Sequence, residues 1–169
     1  MEYVILVNEN DEVIGEMEKQ EVHEKGLLHR AFSIFIFNKD QELLIQQRAK
    51  AKYHSPLKWT NACCSHPRKG ETYFEAAHRR LQEELGFDCE LSEKFHFIYK
   101  ADVGGGLTEH ELDRVFVGEY NGNINPAPLE VESVRWIARD ELKKEMELCP
   151  ENFTEWFKII FDKYESNIR

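Results

Sequence analysis

Short apolar runs with strand-like alternation cover most of this chain, and two segments switch to a spacing of three and four. YVILVN at 3–8 reads as a strand, and NENDEVIG at 8–15 as a polar turn leading into a short second one. HRAFSIFIFN at 29–38 is a longer β run, closed by KDQE and answered by LLIQQR at 43–48. That pairing predicts a β-hairpin. From Ala49 to Gly70 the pattern lapses into a loop, where Pro56 and Pro67 exclude regular helix. Strand periodicity returns at Phe95–Ala101, breaks at the flexible DVGGG, and resumes at 107–120 and again at 131–138.

The helical spacing is clearest between Thr72 and Gly86. Phe74, Ala77, Leu81 and Leu85 predict one apolar stripe, Thr72 and Glu75 form a capping box, and Gly86 is placed to end the helix in a left-handed turn. The segment Phe153–Tyr164 carries Phe153, Trp156, Phe157, Ile160, Phe161 and Tyr164 at the same spacing. Strands and helices mix without strict alternation, so the expected class is α+β or mixed α/β, with mixed β-sheets flanked by helices. The size prior gives one domain spanning 1–169.

Composition narrows the functional classes. The net charge of −10 leaves no basic face for nucleic acid or an anionic membrane, although a few Lys and Arg could still line a phosphate pocket. The apolar stretches are too short to span a bilayer, and the N-terminus turns acidic where a signal peptide would stay apolar. Cys63, Cys64, Cys89 and Cys149 fit neither a disulfide framework nor a Cys-x-x-Cys zinc motif. A reduced, cytoplasmic protein is expected, monomeric or a small homo-oligomer, with a small-molecule partner.

Three motifs carry candidate chemistry. The first is GETYFEAAHRRLQEELGF at 70–87, in which Glu71, Glu83 and Glu84 could offer oxygens to magnesium while Arg80, one turn from Glu84, meets a phosphate. As a charge pattern alone, RRLQEEL is also what any solvated helix face carries. The second is EHE at 109–111: on a strand Glu109 and Glu111 face one side and His110 the other. With histidines such as His23, His29 and His66 they could make a transition-metal site. The third is WTNACCSHP at 59–67, where a thiol pair precedes His66.

The first motif resembles the signature of the Nudix superfamily, which holds a divalent cation on a diphosphate. Ser65 stands at its first glycine, Glu71 at its first glutamate, and Arg80 at a metal-binding glutamate. The cluster a pyrophosphohydrolase uses is therefore incomplete, which suggests binding a diphosphate without cutting it. Almost the whole chain resembles the type 1 isopentenyl-diphosphate isomerases, the Nudix branch that rearranges such an ester. The likeness rests on WTNxCCxHP at 59–67, ExEL at 109–112, the broken box, and EWF at 155–157.

That resemblance implies one metal, manganese or zinc, on His23, His29, His66, Glu109 and Glu111. A second, magnesium, would lie against the diphosphate near Glu84 and the backbone carbonyl of the cysteine. It implies that isopentenyl diphosphate becomes dimethylallyl diphosphate through a tertiary carbocation-like state, in isoprenoid biosynthesis. Cys64 and Glu111 would handle the protons, Tyr99 would relay one, and Trp156 would face the cation. Lys19, Arg48, Lys52 and Arg80 would clamp the diphosphate. One departure concerns His23 and His29, whose spacing is one residue shorter than in some bacterial members. His54 is a nearby rival that does not match the pattern. The competing reading is a Nudix hydrolase of a nucleoside or sugar diphosphate, against which Arg80 stands.

Overall fold

The computed structural model describes residues 1–168. Nine strands form one hydrogen-bonded network. β1 (Tyr3–Val7) and β2 (Val13–Glu18) pair antiparallel, and a short helix, α1 (Lys19–Lys25), leads into β3 (His29–Phe37). β4 (Leu43–Arg48), β5 (Trp59–Thr60) and β6 (Cys63–Ser65) precede the long helix α2 (Tyr73–Leu85). β7 (Leu91–Gly104) and β8 (Leu107–Glu119) make a long hairpin. β9 (Val131–Ile137), α3 (Arg139–Leu148) and α4 (Glu155–Tyr164) follow. The class is the α+β one expected. Among the described residues no helix is long and apolar enough to cross a membrane.

β3 is the spine. It runs parallel to β8 from His29↔Glu111 to Phe37↔Glu119, and its other edge is shared in turn by β1, β6 and β4. Its alternate residues enter two separate cores. Phe32, Ile34 and Ile36 pack with Ala77, Leu81 and Leu85 of α2, while Phe35 and Phe37 pack with Leu142 of α3 and Phe157 and Ile160 of α4. A strand covered on both faces must be apolar throughout, which is why 31–37 reads as an almost unbroken run. Ser33 is the exception, and it too is buried.

Several expectations need correcting. The 29–48 hairpin exists only at its turn, where Phe37 pairs with Leu43. Beyond that the strands splay, because β6 pairs with β3 and β5 with β4 inside the gap. The 49–70 loop therefore contains two short strands wedged into the hairpin. Phe74 is 48% exposed and stacks edge-on against His78, so it is not part of the buried stripe. Tyr73 takes that place, one residue earlier, with Ala76 beside Ala77. α1 and α3 had no clear periodic signal; α1 buries Val22 and His23, and α3 buries Leu142.

The α2 caps agree with the sequence. Thr72 and Glu75 bond reciprocally, and Gly86 adopts φ 71°. A Cβ on Gly86 would sit 2.7 Å from the Asn125 carbonyl oxygen. Gly86→Ala is therefore expected to cost at least about 1 kcal/mol from the left-handed backbone alone, with the contact adding to it. A urea unfolding midpoint unchanged from the native chain would contradict this.

Candidate active site

The parallel pairing of β3 with β8 sets His29 directly beside Glu111. Two residues back on β8, Glu109 lies on the same face, while His110 turns away and its Nδ1 lies 3.0 Å from the Gly26 carbonyl oxygen. α1 brings His23 to this point in its last turn, and Gly26, at φ 61°, ends the helix so that the chain reaches β3 within three residues. His66 follows directly on β6.

The five side chains converge. His23, His29, His66, Glu109 and Glu111 are all buried, and one potential ligand atom from each lies within 4.8 Å of all the others. His23 Nε2 is 3.1 Å from Glu109 Oε2, and His66 Nε2 is 3.0 Å from Glu111 Oε1. His29 Nε2 stands 3.5 Å from Glu111 Oε1 and has no hydrogen-bond partner although it is buried. An orphaned imidazole nitrogen at the centre of such a group is what a metal ligand looks like without its ion. The Nδ1 atoms of His23 and His29 donate to the carbonyls of Lys19 and Leu27, at 2.6 and 2.8 Å, which aims both Nε2 atoms inward. Burial lowers the His66 pKa to about 4 despite the pull of Glu111, so its imidazole is neutral. Burial works against the Glu109 carboxylate, but hydrogen bonds from His23 and His54 outweigh it and hold its pKa well below the usual range. The three imidazoles and two carboxylates suit a divalent ion.

Beside this group opens a cavity of about 290 Å³ lined by Cys64, His66, Glu109, Glu111 and Trp156. Lys19, Arg48, Lys52 and Arg80 line it as well. These cations have carboxylate or carbonyl partners: Lys19 pairs with Glu2, Lys52 and Arg80 share Glu130, and Arg48 donates to the carbonyls of His54 and Ser55. The Arg48 guanidinium also lies 5.4 Å from the centre of the Trp156 ring.

Cys64 sits in a defined cage. Its thiol donates to Asn61 Oδ1 at 2.9 Å, and the Trp156 indole N–H donates to its sulfur at 3.0 Å. The Asn61 amide cannot flip, because its nitrogen donates to the carbonyls of Ile34 and Cys63. Ser33 Oγ is 3.5 Å from the same sulfur and donates to Asp113 at 2.7 Å. Burial, helped by the Asp113 charge, raises the thiol pKa. Burial likewise raises Tyr99, whose hydroxyl donates to Glu111 Oε2 at 2.7 Å. Cys63, by contrast, is wholly buried in the core.

Glu84 stands outside the five-residue group. One of its oxygens accepts from Gln46 and the other from Arg80. Glu71 is held by a bidentate pair with Arg79, and Glu83 by Arg79 and Arg80. Glu71, Glu83 and Glu84, the candidate metal-binding carboxylates of the helix motif, thus each have a guanidinium beside them. Ser33, Asn61 and Asp113 were not singled out from the sequence. Asp113 had a visible signal, since it continues the alternation of Glu109 and Glu111 along β8. Ser33 had a weaker one, as the hydroxyl inside an apolar run.

A NUDIX domain model matches residues 27–157, so the chain belongs to the Nudix superfamily. Among solved structures, a Deinococcus radiodurans protein superposes with a TM-score of 0.79 at 19% identity, covering 96% of this chain and 99% of its own. The MutT protein of Methanosarcina mazei Go1 gives 0.67 at 16%, covering 82% and 94%. At these identities the likeness concerns the fold. Sequence relatives are much nearer. An isopentenyl-diphosphate Delta-isomerase of Serratia proteamaculans is 49% identical over 98% of this chain and 93% of its own length. One of Aliivibrio fischeri strain ES114 is 42% identical over 99% and 97%. This chain belongs to the isopentenyl-diphosphate Delta-isomerase family.

Proposed function

We propose that the protein, as one Nudix-like isomerase domain, interconverts isopentenyl and dimethylallyl diphosphate. The observation that carries this reading is that the Cys64 thiol and the Glu111 carboxylate line the same cation-rimmed cavity. Moving the double bond requires one proton added at the terminal carbon and one removed from the carbon next to the oxygen-bearing one. Two proton-handling groups must be positioned before charge develops on the tertiary carbon. Cys64 and Glu111 fill those roles, and Tyr99, bonded to Glu111, relays a proton. Trp156 presents an aromatic face for the developing cation and excludes water that would trap it.

Lys19, Arg48, Lys52 and Arg80 neutralise the diphosphate, exchanging their present partners for phosphate oxygens. When bound, a manganese or zinc ion on His23, His29, His66, Glu109 and Glu111, with magnesium near Glu84, supplies positive charge that anchors Glu111 and shields the diphosphate. The cysteines are unpaired, in keeping with a cytoplasmic enzyme of isoprenoid biosynthesis.

The test is a proton NMR time course with isopentenyl diphosphate, magnesium and manganese in deuterated water, read on chelated aliquots. Deuterium-bearing dimethylallyl diphosphate is the expected product. Free phosphate or pyrophosphate with an unchanged alkene would replace this reading with the hydrolase.

A further inference from the structure

The two carboxylates of the ligand group are held in the same manner. Glu111 turns Oε1 toward His66 and His29 and gives Oε2 to the Tyr99 hydroxyl. Glu109 turns Oε2 toward His23 and His29 and gives Oε1 to His54, whose Nε2 is 2.9 Å away. We infer that His54 is a positioning residue that clamps Glu109 so that one carboxylate oxygen alone faces the divalent ion, an inference that rests on the metal site proposed above.

His54 is suited to that task. It is buried, yet it lies outside the five-residue ligand group. A carboxylate only accepts, so Nε2 must carry the ring proton; Nδ1, 3.2 Å from Ser55 Oγ, then accepts from that hydroxyl.

The backbone is fixed as firmly as the ring. Ser55 adopts φ 48°, a left-handed conformation that a non-glycine residue adopts at a cost of about 1 kcal/mol. Arg48 holds that turn by donating to the carbonyls of both His54 and Ser55. The ring is walled edge-on by Tyr53 at 4.5 Å and by Trp156 at 5.9 Å between centroids. A strained turn pinned by a buried guanidinium in order to present one N–H to one oxygen is more than core packing requires. An unclamped Glu109 could swing and offer both oxygens; clamped, it offers one. Partners that orient a ligand in this way change metal affinity by about 10–100-fold when removed.

The experiment compares manganese binding to the native protein, His54→Phe and His54→Gln, by electron paramagnetic resonance of free ion. Phenylalanine keeps the ring and loses the donor, whereas glutamine keeps an N–H at similar reach. His54→Phe should bind at least about tenfold more weakly, and His54→Gln should stay near the native affinity. Native affinity in His54→Phe, or equal losses in both variants, would overturn the inference. No ion bound by the native protein would instead overturn the metal site on which it rests. Should His54→Phe not fold, nitrogen-15 NMR of the native zinc-loaded protein decides, with the His54 signal assigned by its loss in His54→Gln. A proton on Nε2 supports the clamp, and a proton on Nδ1 with bare Nε2 overturns it.

Discussion

Cys64→Ala should reduce isomerisation by about a thousandfold or more, within the range that positioned acid–base groups contribute. The fold should survive, since the thiol is only partly buried and the change removes one sulfur atom. The magnitude follows from the cage around it. The S–H has an acceptor in Asn61 Oδ1 and the sulfur a donor in the Trp156 indole, so both the protonated and the deprotonated thiol find a partner without rearrangement. A preorganised cage of this kind is lost whole when its centre is removed. Cys63→Ala is the control. Its sulfur is buried against the α2 core, so that variant should lose about 1 kcal/mol of stability and retain turnover. Equal activity in Cys64→Ala and the native enzyme would remove the thiol from the mechanism.

Glu111→Gln should be similarly severe, by about a thousandfold, and should weaken metal binding as well. The substitution keeps shape while removing a charge that three groups address: His66, His29 and the Tyr99 hydroxyl. It also places an amide where Tyr99 needs an acceptor, and an amide that turns its NH₂ toward that hydroxyl leaves the buried phenol unsatisfied. Turnover and manganese affinity should be measured on the same preparation. A variant retaining a tenth of native turnover would show that Glu111 is not a proton-handling group.

The elements readable from sequence were those whose signal is local. The α2 caps were legible because they depend on Thr72, Glu75 and Gly86 alone. The facing of Glu109 and Glu111 was legible because strand geometry fixes it. The β3–β4 partnership was misread because adjacency in sequence predicts a hairpin, whereas β6 on β3 and β5 on β4 wedge the two strands apart beyond the turn. Phe74 was assigned to the buried stripe because it stands three residues before Ala77, in step with Leu81 and Leu85. Tyr73 is buried instead because its hydroxyl reaches Asp11 and its ring lies between Arg30 and Arg114.

In the site, convergence of the histidines was implied by family resemblance and not by spacing, since His23 and His66 approach from different elements. His54 failed the family pattern and was set aside as a ligand. The structure agrees that it lies outside the ligand group and gives it a different partner, the outer oxygen of Glu109. Asn61 lay inside a quoted motif without a role, because only the β5–β6 turn shows which way its amide points.

The parallel register of β3 with β8 also bears on how the chain folds. The β7–β8 hairpin is local and can close early, but by itself it presents only Glu109 and Glu111. His23 lies 86 residues from Glu109 along the chain, and bringing such distant segments together is the slow part of folding. A complete set of ligands therefore exists only after β3 has docked. Metal capture would come last, sealing a finished topology instead of nucleating it.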